Sequence, residues 1–154
     1  MGTKEIMNKT APTTIIACLA LWGFITLSSR LGAEGLPHHL VCNFTSGTAT
    51  TFEDGKFTSK SPNPLSFQIS KINLDNQTAA LITKGRKAPG ALKIVRAINA
   101  NHFIEVVNEG YLNLTTIYDA DPKSGEYPAV HSRHLGILGQ PIFAQYTGFC
   151  SPKK

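Results

Sequence analysis

Residues 92–118 read LKIVRAINANHFIEVVNEGYLNLTTIY, and this stretch decides the fold class. Three runs rich in β-branched and aromatic residues, Leu92 to Ile98, His102 to Val107 and Tyr111 to Tyr118, are parted by Asn99-Ala100-Asn101 and by Glu109-Gly110. The runs are too short for amphipathic helices and the gaps carry turn chemistry, so they predict three successive strands with tight connections.

Working outward, the same grammar continues. Upstream lie Val41 to Phe52, Leu65-Ser-Phe-Gln-Ile69 with its strict alternation, and Thr78 to Thr83 after a turn at Asp75-Asn76-Gln77. Lys84 to Gly90 reads as a charged hairpin tip, and Asp119 to Gly125 as a loop. Downstream come Ala129 to Leu135 and Pro141 to Phe149, with a turn or bulge at Leu135-Gly-Ile-Leu-Gly-Gln-Pro141. Phe143, Tyr146 and Phe149 read as core aromatics. No segment sustains a 3.6-residue period, so the chain is all-β. About eight short strands predict a small antiparallel up-and-down barrel, lipocalin/calycin-like, because closing a meander removes its exposed edges; a β-sandwich is the second choice. The resemblance to lipocalin-like and streptavidin-like barrels is architectural: Trp22, the one tryptophan, lies near the N-terminus, and no Gly-x-Trp signature follows residue 35. An eight-stranded barrel holds either its own side chains or one small ligand.

The 154 residues are 42% hydrophobic and 16% charged, with 15 Lys+Arg against 10 Asp+Glu, which excludes disorder and allows one domain. Thr13 to Leu27, TTIIACLALWGFITL, is an uncharged apolar run behind Lys4 and Lys9, and Ala33 and Gly35 are small residues suited to cleavage. Residues 1–35 therefore read as a cleaved signal peptide, cut after Ala33 or Gly35, and 36–154 as a single domain. The run is shorter than the roughly 20 apolar residues of a spanning helix, so no stable membrane span is expected after cleavage. Ile15-Ile16-Ala17-Cys18 resembles a lipobox, but the apolar run continues past the cysteine. The expected location is secreted or periplasmic.

Cysteine usage agrees with export. Cys42 and Cys150 are the pair left after residue 35, and two cysteines in an oxidising compartment predict one disulfide tying the first strand to the last. Nothing around either one supplies a base or helix start to activate a thiol.

The polar residues concentrate between Gly110 and Cys150: Tyr111, Asn113, Thr115, Tyr118, His131, Arg133, His134, Gln145 and Tyr146. Strand alternation puts His131 and Arg133 on one face and His134 on the other, which disfavours a zinc pair. A guanidinium and an imidazole on one face suit an anion or carboxylate, since the arginine fork matches such groups. Glu105, flanked on its face by Phe103 and Val107, is costly there unless paired, and Arg133 is the expected partner in a buried salt bridge. His38-His39 follows Leu36-Pro37, and proline lacks the N–H an amino-terminal copper chelate needs, so this segment reads as a flexible linker.

These residues favour a non-enzymatic role: binding of a small or anionic ligand, or of an envelope protein, through Arg133, His131, Glu105 and Tyr118. No cofactor is implied. The alternatives are a hydrolase-type acid–base enzyme using Glu105 and His131, and a structural or inhibitor-like module acting through its surface. Nucleic acid is not an expected partner, because no aromatic residues interleave with the Lys84-Gly85-Arg86-Lys87 patch.

Overall fold

The computed structural model describes residues 35–88, 91–107, 111–137 and 140–153. The signal-peptide reading of residues 1–35 thus lies outside the described residues but for Gly35, as do the Glu109-Gly110 turn and the centre of the Leu135 to Pro141 segment. Among the described residues ten strands are present: β1 Leu40–Glu53, β2 Lys56–Lys60, β3 Leu65–Asn73, β4 Thr78–Thr83, β5 Arg86–Lys87, β6 Leu92–Arg96, β7 Ala100–Val107, β8 Tyr111–Tyr118, β9 Tyr127–Ile137 and β10 Gln140–Pro152. Among the described residues there is no helix.

All ten belong to one antiparallel sheet, and β10 pairs back onto β1, so eight of them (β1, β3, β4, β6, β7, β8, β9 and β10) form a closed ring. β2 and β5 are extensions of ring positions. β2 lies on the same edge of β1 as β3, further along, and Ser61-Pro62-Asn63-Pro64 interrupts the pairing between them. β5 and β6 likewise share one edge of β4. Prolines in a sheet remove ladder donors and break strands in this way.

The two extensions are β-hairpins that strand-length reasoning missed. Asp54-Gly55 joins β1 to β2 with φ of 50° and 76°, and Lys84-Gly85 joins β4 to β5 with φ of 49° and 74°. Positive φ at both central residues is the tight hairpin geometry that favours glycine. The expected long tip from Lys84 onward is therefore a two-residue turn, with Arg86 and Lys87 already paired. At the β6–β7 connection the turn falls earlier than expected: Ala97 N–H donates to Ala100 O at 2.9 Å, and Ala100 and Asn101 lie in β7.

The core lies inside the ring, and each of its eight strands contributes. Phe44, Ile69, Ala79, Ile94, Phe103, Ile117, Ala129 and Tyr146 are all buried there. Two register shifts keep the pattern inward. In β1 even-numbered Leu40, Cys42 and Phe44 are buried, then a bulge between Phe44 and Ser46 moves odd-numbered Gly47 and Ala49 opposite the inward residues Tyr146 and Ala144. In β3 a shift between Ser70 and Asn73, with Lys71 at φ 52°, turns the burial from Phe67 and Ile69 to Ile72. A bulge inserts one residue and so reverses which parity faces in.

The ring closes on the disulfide. Cys42 and Cys150 are directly opposite in the β1–β10 ladder, fully buried, and bonded across a separation of 108 residues. The N-terminal segment is tethered and is not the flexible linker its composition suggested: His38 Nδ1 lies 2.9 Å from Ile72 O, Ile72 N–H donates to His38 O, and Lys153 N–H donates to His39 O. Phe143 and Phe149 correct a second expectation, for they are 41% and 50% exposed while Tyr146 is buried. The period of two places them on the outer face, opposite Tyr146.

Candidate functional site

β8, β9 and β10 are continuous neighbours, and their ladders bring the polar residues of the last third of the chain to one end of the ring. Asn113 pairs with Arg133 and Arg133 with Ala144; one step outward Tyr111 pairs with Leu135 and Leu135 with Ile142. Each of these side chains faces inward because strand alternation is unbroken through β8 and β9. There they line a cavity of about 300 Å³, together with Ala49, Phe143 and Tyr146. That is the lower end of the roughly 300–1,000 Å³ typical of small-molecule sites.

Arg133 is exposed and opens on this cavity. It forms no salt bridge with Glu105. One strand, β8, separates them, and its Asn113 stands between: the Asn113 Nδ2 donates to Glu105 Oε2 at 2.7 Å. Adjacent strands lie about 4.8 Å apart, so the expected pair would have to span two such spacings past an amide that already satisfies the carboxylate. Among the described residues the guanidinium has no carboxylate partner.

His131 shares the inward face with Arg133 but sits deeper, 4% exposed, and the cavity lining includes neither it nor Glu105. Its ring packs among Phe67, Phe44 and Tyr146, with centroids at 5.0, 5.6 and 6.0 Å. Nδ1 and Thr115 Oγ1 share a hydrogen bond at 2.9 Å, whereas Nε2 is buried with no partner. Burial, and secondarily the Arg133 charge, pushes the His131 pKa down to about 4, so the ring is neutral at pH 7.

Tyr118 lies at the far end of β8 and is 41% exposed, so it does not join Arg133. His134 pairs with Phe143 and is exposed, turned away from His131. Among the described residues no group of three His, Cys, Asp or Glu side chains could hold a metal ion. The structure thus gathers Arg133, Asn113, Tyr111 and Tyr146, leaves Glu105 and His131 engaged behind them, and puts Tyr118 elsewhere. The apolar wall of Ala49, Leu135, Ile142 and Ala144 was not foreseen. Alternation along β9 and β10 carries its signal, but Ala49 joins only through the bulge.

The chain matches no protein-family model, no curated protein and no solved structure. Its functional reading accordingly rests on the chemistry of the site.

Proposed function

We propose that this is a secreted or periplasmic protein with a lipocalin/calycin-like up-and-down barrel architecture, which binds a small anionic ligand at the open end of its ring. One observation carries the reading: Arg133, a cation without a carboxylate partner among the described residues, opens on a cavity of about 300 Å³. A guanidinium fork beside apolar walls favours an anion, because charge-assisted hydrogen bonds to it are stronger than neutral ones. Asn113, Tyr111 and Tyr146 add polar groups around it. The buried Cys42–Cys150 disulfide supports the oxidising location.

The acid–base alternative finds less support. Glu105 is held by Asn113, His131 is buried with its Nδ1 held by Thr115, and neither lines the cavity. A second reading, an envelope protein bound on the outer surface, is favoured by Phe57, which is 62% exposed and packs against Phe52 and Phe143 with centroids at 4.8 and 6.4 Å. The two readings separate by mutation. Arg133→Ala abolishes binding of small anions in the first and leaves protein association intact in the second, while Phe57→Ser does the reverse. Native mass spectrometry of the protein from an oxidising compartment tests the first directly, with a retained acidic small molecule as the expected result.

A further inference from the structure

The lining of the cavity is divided by strand. Most of its polar groups come from β8 and β9, where Tyr111, Asn113 and Arg133 meet, with Tyr146 of β10 the exception, whereas Ile142, Phe143 and Ala144 of β10 and Ala49 of β1 give an apolar wall. Leu135 of β9, the register partner of both Tyr111 and Ile142, bridges the two halves. Among these lining residues Arg133 is the one cation and none is an anion.

From this division we infer that the ligand is a small amphipathic monocarboxylate, with its head on Arg133 and Asn113 and a short aliphatic or aromatic body along Leu135, Ile142, Ala144 and Ala49. The inference rests on the anion-binding reading above and narrows it. A free inorganic anion would leave the apolar wall unused, and a neutral apolar molecule would cover the guanidinium without pairing it, which is unfavourable. A dianionic head would meet one cation only, since the neighbouring His131 is buried and neutral. The volume limits the body to a few carbons or a single ring: at about 300 Å³ the cavity is at the small end for organic ligands.

The test is a titration of the disulfide-bonded protein with acetate, butanoate, hexanoate and octanoate, followed by NMR chemical shifts and by calorimetry, with 1-hexanol and hexyl phosphate as controls. Affinity is expected to rise by up to about fourfold for each methylene that becomes buried, and then to level off when the cavity is full. Hexanol should bind at least about tenfold more weakly than hexanoate, the loss of one good charge-assisted contact, and hexyl phosphate no more tightly than hexanoate, because its second charge meets no further cation. Ala144→Leu, which narrows the wall, should flatten the chain-length dependence while acetate still shifts the Arg133 resonances. If hexanoate binds no better than acetate or inorganic phosphate while both need Arg133, the amphipathic inference is overturned and the anion-binding reading stands. If hexanol matches hexanoate, or if no acid shifts any resonance near Arg133, both fall.

Discussion

Arg133 stands directly across from Asn113 in the β8–β9 ladder, and the amide of Asn113 is already donated to Glu105 at 2.7 Å. The carboxylate that would have neutralised Arg133 is thereby held one strand further away. A pairing that would have been structural becomes a guanidinium left facing a cavity, and this one intervening side chain separates the binding account from a buried ion pair.

Asn113→Leu removes the donor from a half-buried carboxylate. An orphaned polar group of this kind costs about 1–3 kcal/mol. Urea unfolding should show that loss, and adding Glu105→Leu should recover much of it, because removing both partners leaves nothing unsatisfied. Equal and additive losses for the two substitutions would contradict the coupling.

His131 makes stability depend on acid in a defined window. The unfolded histidine binds its proton near the ordinary value of 6.5, the folded one only near about 4. Between these values the unfolded chain takes up a proton that the folded chain refuses. Stability is therefore full above about pH 6.5, falls as the pH drops, and levels off below about 4, with a total loss of about 3 kcal/mol from this residue. In His131→Phe, which keeps a ring among Phe44, Phe67 and Tyr146, that component of the slope should vanish. Denaturant midpoints between pH 7 and 4 measure it.

The disulfide joins the two strands at which the ring closes. In the chain-entropy model a bond across 108 residues stabilises by about 4–5 kcal/mol, and removing such bonds from small domains costs about 2–5 kcal/mol. Cys42→Ala with Cys150→Ala should lower the unfolding free energy by that amount, read by chemical denaturation against the oxidised parent.

Glycine requirements differ sharply with position. A Cβ on Gly148 would strike the Asn43 carbonyl and Phe44 backbone across the closure seam, whereas one on Gly136 meets nothing. Gly148→Ala should cost about 3 kcal/mol or more, the upper range of overpacking, and Gly136→Ala about 0.5 kcal/mol or less. Comparable effects at both sites would show that the β1–β10 approach is looser than described.

How much of this was legible follows the physics of each element. Tyr111 to Tyr118 begins and ends as the residues predict, because it is rich in β-branched and aromatic residues and turn residues flank it. The pairing of Cys42 with Cys150 was legible from their number and place. Lys56–Lys60 was not, since five exposed residues carry no hydrophobic period; the Asp54-Gly55 dipeptide was the available signal. Within the site, the shared face of His131 and Arg133 follows from alternation alone. Their different depths do not, for depth depends on which residues of β1 and β3 lie beneath, and the bulges set that. The partner of Glu105 is not legible from its own face, because it comes from the neighbouring strand, where Asn113 lies opposite.

The central claim is that Arg133 receives an anion in the cavity. Backbone and arginine side-chain NMR spectra recorded during titration with hexanoate test it most directly, in the parent and in Arg133→Ala. The account predicts saturable shifts centred on Tyr111, Asn113, Arg133, Leu135 and Tyr146, absent from the variant. Shifts that persist unchanged in Arg133→Ala, or that centre on Phe52 and Phe57, outside the cavity lining, would contradict it.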